Sequence, residues 1–178
     1  MRQASLEELE ALIRPAGFYR QKARALHTIA HWIDQAHKGS LDVLFAQDGK
    51  LVRSQLLALN GIGPETADAI LLYSGRHPVF VADAYTRRIL SRHELISPAA
   101  DYDSTQRFLH QHLPAEEALF NEFHALLVET AKRFCHRNLT HCEECPLGPY
   151  LGRSSKSENR NSVVTSDFDS GASVLAVR

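Results

Sequence analysis

Apolar residues recur along this chain at three- and four-residue intervals, the spacing that lays them on one face of a helix. Residues 5–13 open the pattern, with Ser5 as N-cap and Glu8 three positions later, the arrangement of a capping box. Arg14-Pro15-Ala16-Gly17 stops it. A second helix is expected from Phe18 to Ala36 on Phe18, Ala23, Leu26, Ile29, Ala30 and Ile33, ended by Gly39. Ser40 should cap a short helix reaching about Phe45. Leu51–Leu59 and Pro64–Tyr73 follow around a tight Gly-Ile-Gly turn. The stretch from His77 to Ala82 reads as extended, with Val79, Phe80 and Val81 buried, and Asp83 then caps a helix to about His93. Helices over Ser104–Leu113 and Glu116–Phe134 complete the set. No segment alternates in twos for long enough to build a sheet, so the predicted fold class is all-α.

Composition narrows this picture without deciding it. The 178 residues are 44% hydrophobic, enough for a real core, and carry a formal charge of −1. Residues 153–178 are rich in Ser and Asn, lack periodicity and are expected to be a disordered tail. That leaves residues 1–152 as one domain with 16 basic and 18 acidic groups. Strong non-specific attraction to phosphates through net charge is excluded, so any polyanion would have to be met by local geometry. Residues 1–10 are charged and contain no signal-peptide core, and no run of 18 apolar residues occurs. A soluble cytoplasmic monomer with no membrane association is the expectation. The three cysteines, Cys135, Cys142 and Cys145, lie within eleven residues and suggest metal ligation more than disulfides.

The Gly-Ile-Gly turn is the first candidate for chemistry. Gly61 and Gly63 would allow positive φ and bring bare backbone to a phosphate, while Ile62 would plug the turn against the core. Pro64 suits the first turn of the next helix, whose free amides and dipole make an anion site. The same residues also fit a plain helix C-cap followed by an N-terminal proline.

Three motifs together go further. Gly17-Phe18-Tyr19 with Lys22-Ala23 resembles a G-[LF]-Y-x-x-K-A turn. Leu59, Gly61, Ile62, Gly63, Thr66 and Ala67 resemble a hairpin of the form L-x-G-[VI]-G-x-x-[ST]-A. Asp83, Tyr85 and Arg88 then resemble a V-D-[TAK]-[HY]-x-x-R segment. In this order and spacing the chain resembles the endonuclease III superfamily of DNA glycosylases over about residues 5–151. It is most similar to the branch that includes the type III 3-methyladenine glycosylase. The resemblance implies a helix-hairpin-helix glycosylase fold, a six-helix barrel plus an iron–sulfur-type helical domain. It further implies double-stranded DNA with a damaged base as partner and a nucleoid location, with Asn60, Gly61, Ile62, Gly63, Glu65 and Thr66 meeting DNA.

In such enzymes a carboxylate faces the positive charge that builds on deoxyribose as the glycosidic bond breaks, and Asp83 falls at that position. Asp is also a common N-cap, and both roles can coexist. Bifunctional relatives carry a lysine where this chain has Glu65, and a carboxylate cannot form an imine. A monofunctional glycosylase for alkylated purines is therefore expected, against a bifunctional glycosylase/abasic lyase or a non-catalytic DNA-binding remnant. Trp32 and Phe18 could stack a flipped base or belong to the core.

The family's iron–sulfur loop spaces its cysteines so that Cys135, Cys142 and Cys145 fill three positions and Leu151 the fourth. A [4Fe–4S] cluster would then need an outside ligand. His136 and His141 could instead serve zinc or iron, or residues 135–151 form a degenerate loop held by Pro146 and Pro149. The family's helix with an L-S-Q-like motif precedes the Gly-Phe-Tyr turn by tens of residues, so an N-terminally truncated version of the fold is expected.

Overall fold

Ser5 does what the sequence asks of it. Its hydroxyl accepts from the Glu8 amide at 3.1 Å, and its own N–H donates to the Glu8 carboxylate at 2.7 Å. This starts α1 (Leu6–Leu12) in the computed structural model, which describes residues 4–152; the expected tail, 153–178, lies outside them. Next, α2 (Tyr19–His37) is framed by two left-handed residues, Phe18 at φ +55° and Lys38 at +54°. Phe18 is thus outside the helix and 62% exposed, which removes it from the core. Trp32 is half-buried, set edge-on to His37 at 4.7 Å. Ser40 caps α3 (Leu41–Phe45). Helix α4 (Gly49–Leu57) begins two residues before the apolar pattern does, because the Asp48 carboxylate accepts from the Lys50 and Leu51 amides. Leu9, Ala23, Leu44, Val52 and Leu56 are the buried apolar residues of these four helices.

The contacts gather the described residues into two compact units, 4–63 and 64–152. The second begins with α5 (Pro64–Ala69), which widens at once into a π-helical turn (Ile70–Ser74) where a single α-helix to Tyr73 was expected. The wider turn is closed by Gly75 N–H donating to Ile70 C=O at 3.0 Å. From there to Asp83 the chain is extended. Phe80, Val81 and Ala82 are buried and Val79 half-buried, and the run threads among helices instead of pairing with a strand.

A polar clamp fixes that run. Gln106 donates both to Phe80 C=O and to the Asp68 carboxylate, each at 2.7 Å, and Tyr102 O–H donates to the same carboxylate oxygen at 2.8 Å. The Phe80 N–H donates to His110 Nε2 at 3.1 Å. That bond needs an imidazole lone pair. Burial pushes His110 below its ordinary pKa, against the pull of Asp68, and so favours the neutral acceptor form. Asp68 itself is wholly buried, and its partners answer the usual cost of an unpaired carboxylate.

Asp83 caps α6 (Ala84–Arg92), Asp101 caps α7 (Tyr102–His112) and α8 (Glu117–Arg133) closes the unit. Their buried faces join Leu72, Phe80 and Val81 in a core of Ile89, Leu90, Leu109, Phe120, Leu127 and Ala131. After α8 comes an isolated antiparallel pair, Cys135 with Thr140, and one 3₁₀ turn, Gly148–Tyr150. The described residues contain no strand beyond that pair, and no helix among them is long and apolar enough to cross a membrane.

Candidate active site at the start of α6

The hairpin turn is built on one glycine, not two. Gly61 has φ +87°, a left-handed conformation that side chains resist, whereas Gly63 has no positive φ. A Cβ on Gly63 would meet nothing within 4 Å, so what glycine leaves there is uncovered backbone. Ile62 is buried, as a plug should be, while Asn60, Gly61, Gly63, Glu65 and Thr66 are exposed.

Asp83 sits where the extended run meets α6, and it is 5% exposed. Its Oδ1 accepts from the Thr86 amide at 2.7 Å, the N-cap bond. Its Oδ2 lies 3.4 Å from His124 Nε2 on α8. The other imidazole nitrogen, Nδ1, is hydrogen-bonded to the Tyr73 hydroxyl from the π-helical turn. Burial would raise the Asp83 pKa, but the adjacent His124 and the bond from the Thr86 amide outweigh it and hold the carboxylate below its ordinary value. Asp83 is therefore an anion at neutral pH.

Glu65 belongs to the same neighbourhood. The protein crowding its carboxyl and the negative charge of Asp83 raise its pKa, opposed by Arg87 and His124. Tyr73 is pushed up to about 12, first by burial and then by the Asp83 charge. Arg87 Nε is buried without a hydrogen-bond partner among the described residues. The structure thus groups Glu65, Tyr73, Asp83, Arg87 and His124, of which the sequence pattern singled out only Glu65 and Asp83. His124 carried a faint signal. It stands in the buried stripe Phe120, His124, Leu127, Ala131 of α8, a lone imidazole among apolar positions.

Arg88, a motif residue, points elsewhere: its Nε donates to Cys135 C=O at 2.8 Å. Arg92 reaches the same loop, donating to Cys135 Sγ at 3.0 Å, His136 C=O at 2.7 Å and Arg137 C=O at 2.8 Å. Cys135, Cys142 and Cys145 line one cavity of about 430 Å³ with Leu151. Among the described residues no three His, Cys, Asp or Glu side chains converge as ligands. His136 and His141 stack edge to face instead. Three thiols line the cavity and leucine holds the fourth place, so a [4Fe–4S] cluster here would need a ligand other than a fourth cysteine. Arg92→Ala is accordingly expected to loosen the loop. Hydrogen exchange over 134–151 should rise sharply, with roughly 1–3 kcal/mol lost from the unit's stability in a denaturant titration.

Comparison with known proteins gives one family. Residues 1–115 match the model of the HhH-GPD superfamily base excision DNA repair proteins. A Methanocaldococcus jannaschii protein assigned to the DNA repair glycosylases is 39% identical over 142 residues, covering 79% of this chain and 64% of that protein. An endonuclease III solved in a non-covalent complex with DNA superposes with a TM-score of 0.72 at 25% identity, over 89% of this chain and 69% of that one. The 3-methyladenine DNA glycosylase of H. pylori, solved with 1,N6-ethenoadenine, gives 0.64 at 28% identity, over 74% and 65%.

Proposed function

Since the chain belongs to the HhH-GPD superfamily of base excision DNA repair proteins, we propose that it is a monofunctional DNA N-glycosylase for alkylated purines, with Asp83 as its catalytic carboxylate. The observation that carries this reading is the pairing of a buried, ionised Asp83 with Glu65, not lysine, at the hairpin position beside it.

The chemistry follows from that pairing. As the bond between the purine nitrogen and C1′ breaks, its electron pair leaves with the base and positive charge builds on the sugar. The fixed negative charge of Asp83 stabilises that developing positive charge in a site where little water screens it. A water oxygen then bonds to C1′, and its proton passes by way of Asp83 to solvent. A purine alkylated to a cation leaves as a neutral base and needs no added proton, so the pair requires no second acid. The abasic strand stays intact, because Glu65 holds the hairpin position and a carboxylate cannot form the imine that β-elimination requires.

DNA would be held by the exposed backbone at Gly61 and Gly63 and the start of α5, flanked by Asn60, Glu65 and Thr66, with Ile62 as the buried anchor. The endonuclease III bound to DNA and the 3-methyladenine DNA glycosylase of H. pylori support this. Residues 135–151 enter it as a degenerate cluster loop tied down by Arg88 and Arg92.

Borohydride reduction in the presence of duplex DNA carrying an abasic site tests the hydrolytic half of the reading. The expected outcome is no covalent protein–DNA adduct. A trapped adduct would establish an amine nucleophile and a lyase step, and Glu65→Lys provides the positive control for geometry at that position.

A further inference from the structure

We propose that His124 is a positioning residue, bonded by Tyr73 on one nitrogen so that the other holds the Asp83 carboxylate in its working orientation. This rests on the reading of Asp83 as catalytic. The three members come from three separate elements: the π-helical turn, the cap of α6 and the buried stripe of α8. His124 is 6% exposed, and its ring stands edge-on to Phe80 at 6.1 Å, so its plane is fixed by packing.

The two oxygens of Asp83 are divided between two partners. Oδ1 is committed to the Thr86 amide at 2.7 Å, and Oδ2 faces His124 Nε2 at 3.4 Å. The cap alone would leave the carboxylate free to swing about that one bond. The imidazole restrains the second oxygen. Only one tautomer does this well. With the proton on Nε2 an N–H faces the carboxylate; with the proton on Nδ1 a lone pair would face it instead.

Tyr73 selects between them. Its phenol keeps its proton, since burial and the Asp83 charge push it up to about 12. It is thus able to donate to Nδ1, and a neutral imidazole that accepts there carries its own proton on Nε2. The widened turn at Ile70–Ser74 is what presents Tyr73 to this position, which gives the departure from α-helix a use. The other charged groups acting on this spot are Glu65 from α5 and Arg87 from α6.

Two readouts test it. Nitrogen-15 NMR of the full chain should show the neutral form of His124 as the Nε2–H tautomer, and Tyr73→Phe should let the Nδ1–H form appear. An unaltered chain that already carries its proton on Nδ1 overturns the proposal, whatever its activity. Single-turnover base release supplies the second. His124→Leu should slow it on the order of 10- to 100-fold, with binding of damaged duplex unchanged. The acid limb of its pH profile should move upward, because His124, 3.4 Å from Oδ2, is among the groups that lower Asp83. His124→Gln, which keeps an N–H donor, should recover most of the rate. A loss of thermal stability with an unmoved acid limb, and no recovery by glutamine, would make His124 purely structural. An unaltered chain that shows the Nε2–H tautomer yet releases no base would refute the proposed function while leaving the hydrogen-bonded chain standing.

Discussion

Asp83→Asn is expected to lower single-turnover base release by at least about 10²-fold, the range for removing a preorganised charge from a buried reaction centre. Binding to damaged duplex should be retained. The reason lies in the two jobs of the residue. Asparagine keeps an acceptor for the Thr86 amide, so α6 stays capped, but it carries no charge to stabilise the cation forming at C1′. The same substitution has a signature in stability. The Asp83 pKa is held below its ordinary value of 3.8, so its ionised form favours the folded state. That contribution is fully present above 3.8 and is lost as the pH falls through the depressed value. The gap in thermal midpoint between the unaltered chain and Asp83→Asn should therefore be open at neutral pH and shrink in acid. A gap that stays constant down to strongly acidic pH would mean that Asp83 is not held ionised by its partners.

Phe80→Ala should be the most destabilising single change, at about 3–5 kcal/mol. Phe80 is wholly buried, and its ring meets Phe120 at 5.3 Å and Phe123 at 5.9 Å, both close to edge-to-face. Its backbone is pinned on both sides by His110 and Gln106. The extended run therefore cannot slide in to fill the void, and a rigid cavity costs more than one that collapses. An unfolding midpoint lowered by on the order of 10 °C in a thermal scan would agree. A loss under 1 kcal/mol by denaturant titration would mean the run is held by the polar clamp and not by packing. Because Asp83 lies three residues on, base release should fall with it, whereas Gln106→Leu should disturb the run with its aromatic packing intact.

The helices and their starts were legible because the signals are local. Ser5, Ser40 and Asp83 cap where the pattern placed them. Asp48 and Asp101 cap too, each starting its helix two residues before the expected start, because an apolar repeat registers only where side chains become buried. The π-helical turn was not legible. One extra residue in a turn leaves the sequence looking helical, and the contact made from it, Tyr73 with His124, spans 51 residues. Asp83 and Glu65 were found through motif spacing, while Tyr73, Arg87 and His124 are assembled by tertiary packing that no window of sequence contains. Gly61 and Gly63 looked equivalent on paper. Only the backbone distinguishes the strained one from the one that merely leaves space.

The central claim is that this chain breaks an N-glycosidic bond by hydrolysis, using Asp83. The most direct measurement incubates it with methylated duplex DNA and identifies what is released by mass spectrometry, with the strand then run under conditions that preserve abasic sites. The account predicts free alkylated purine from the unaltered chain, an uncleaved abasic strand, and no base above background from Asp83→Asn. Release that survives Asp83→Asn, or an unaltered chain that binds damaged DNA and frees no base, would contradict it.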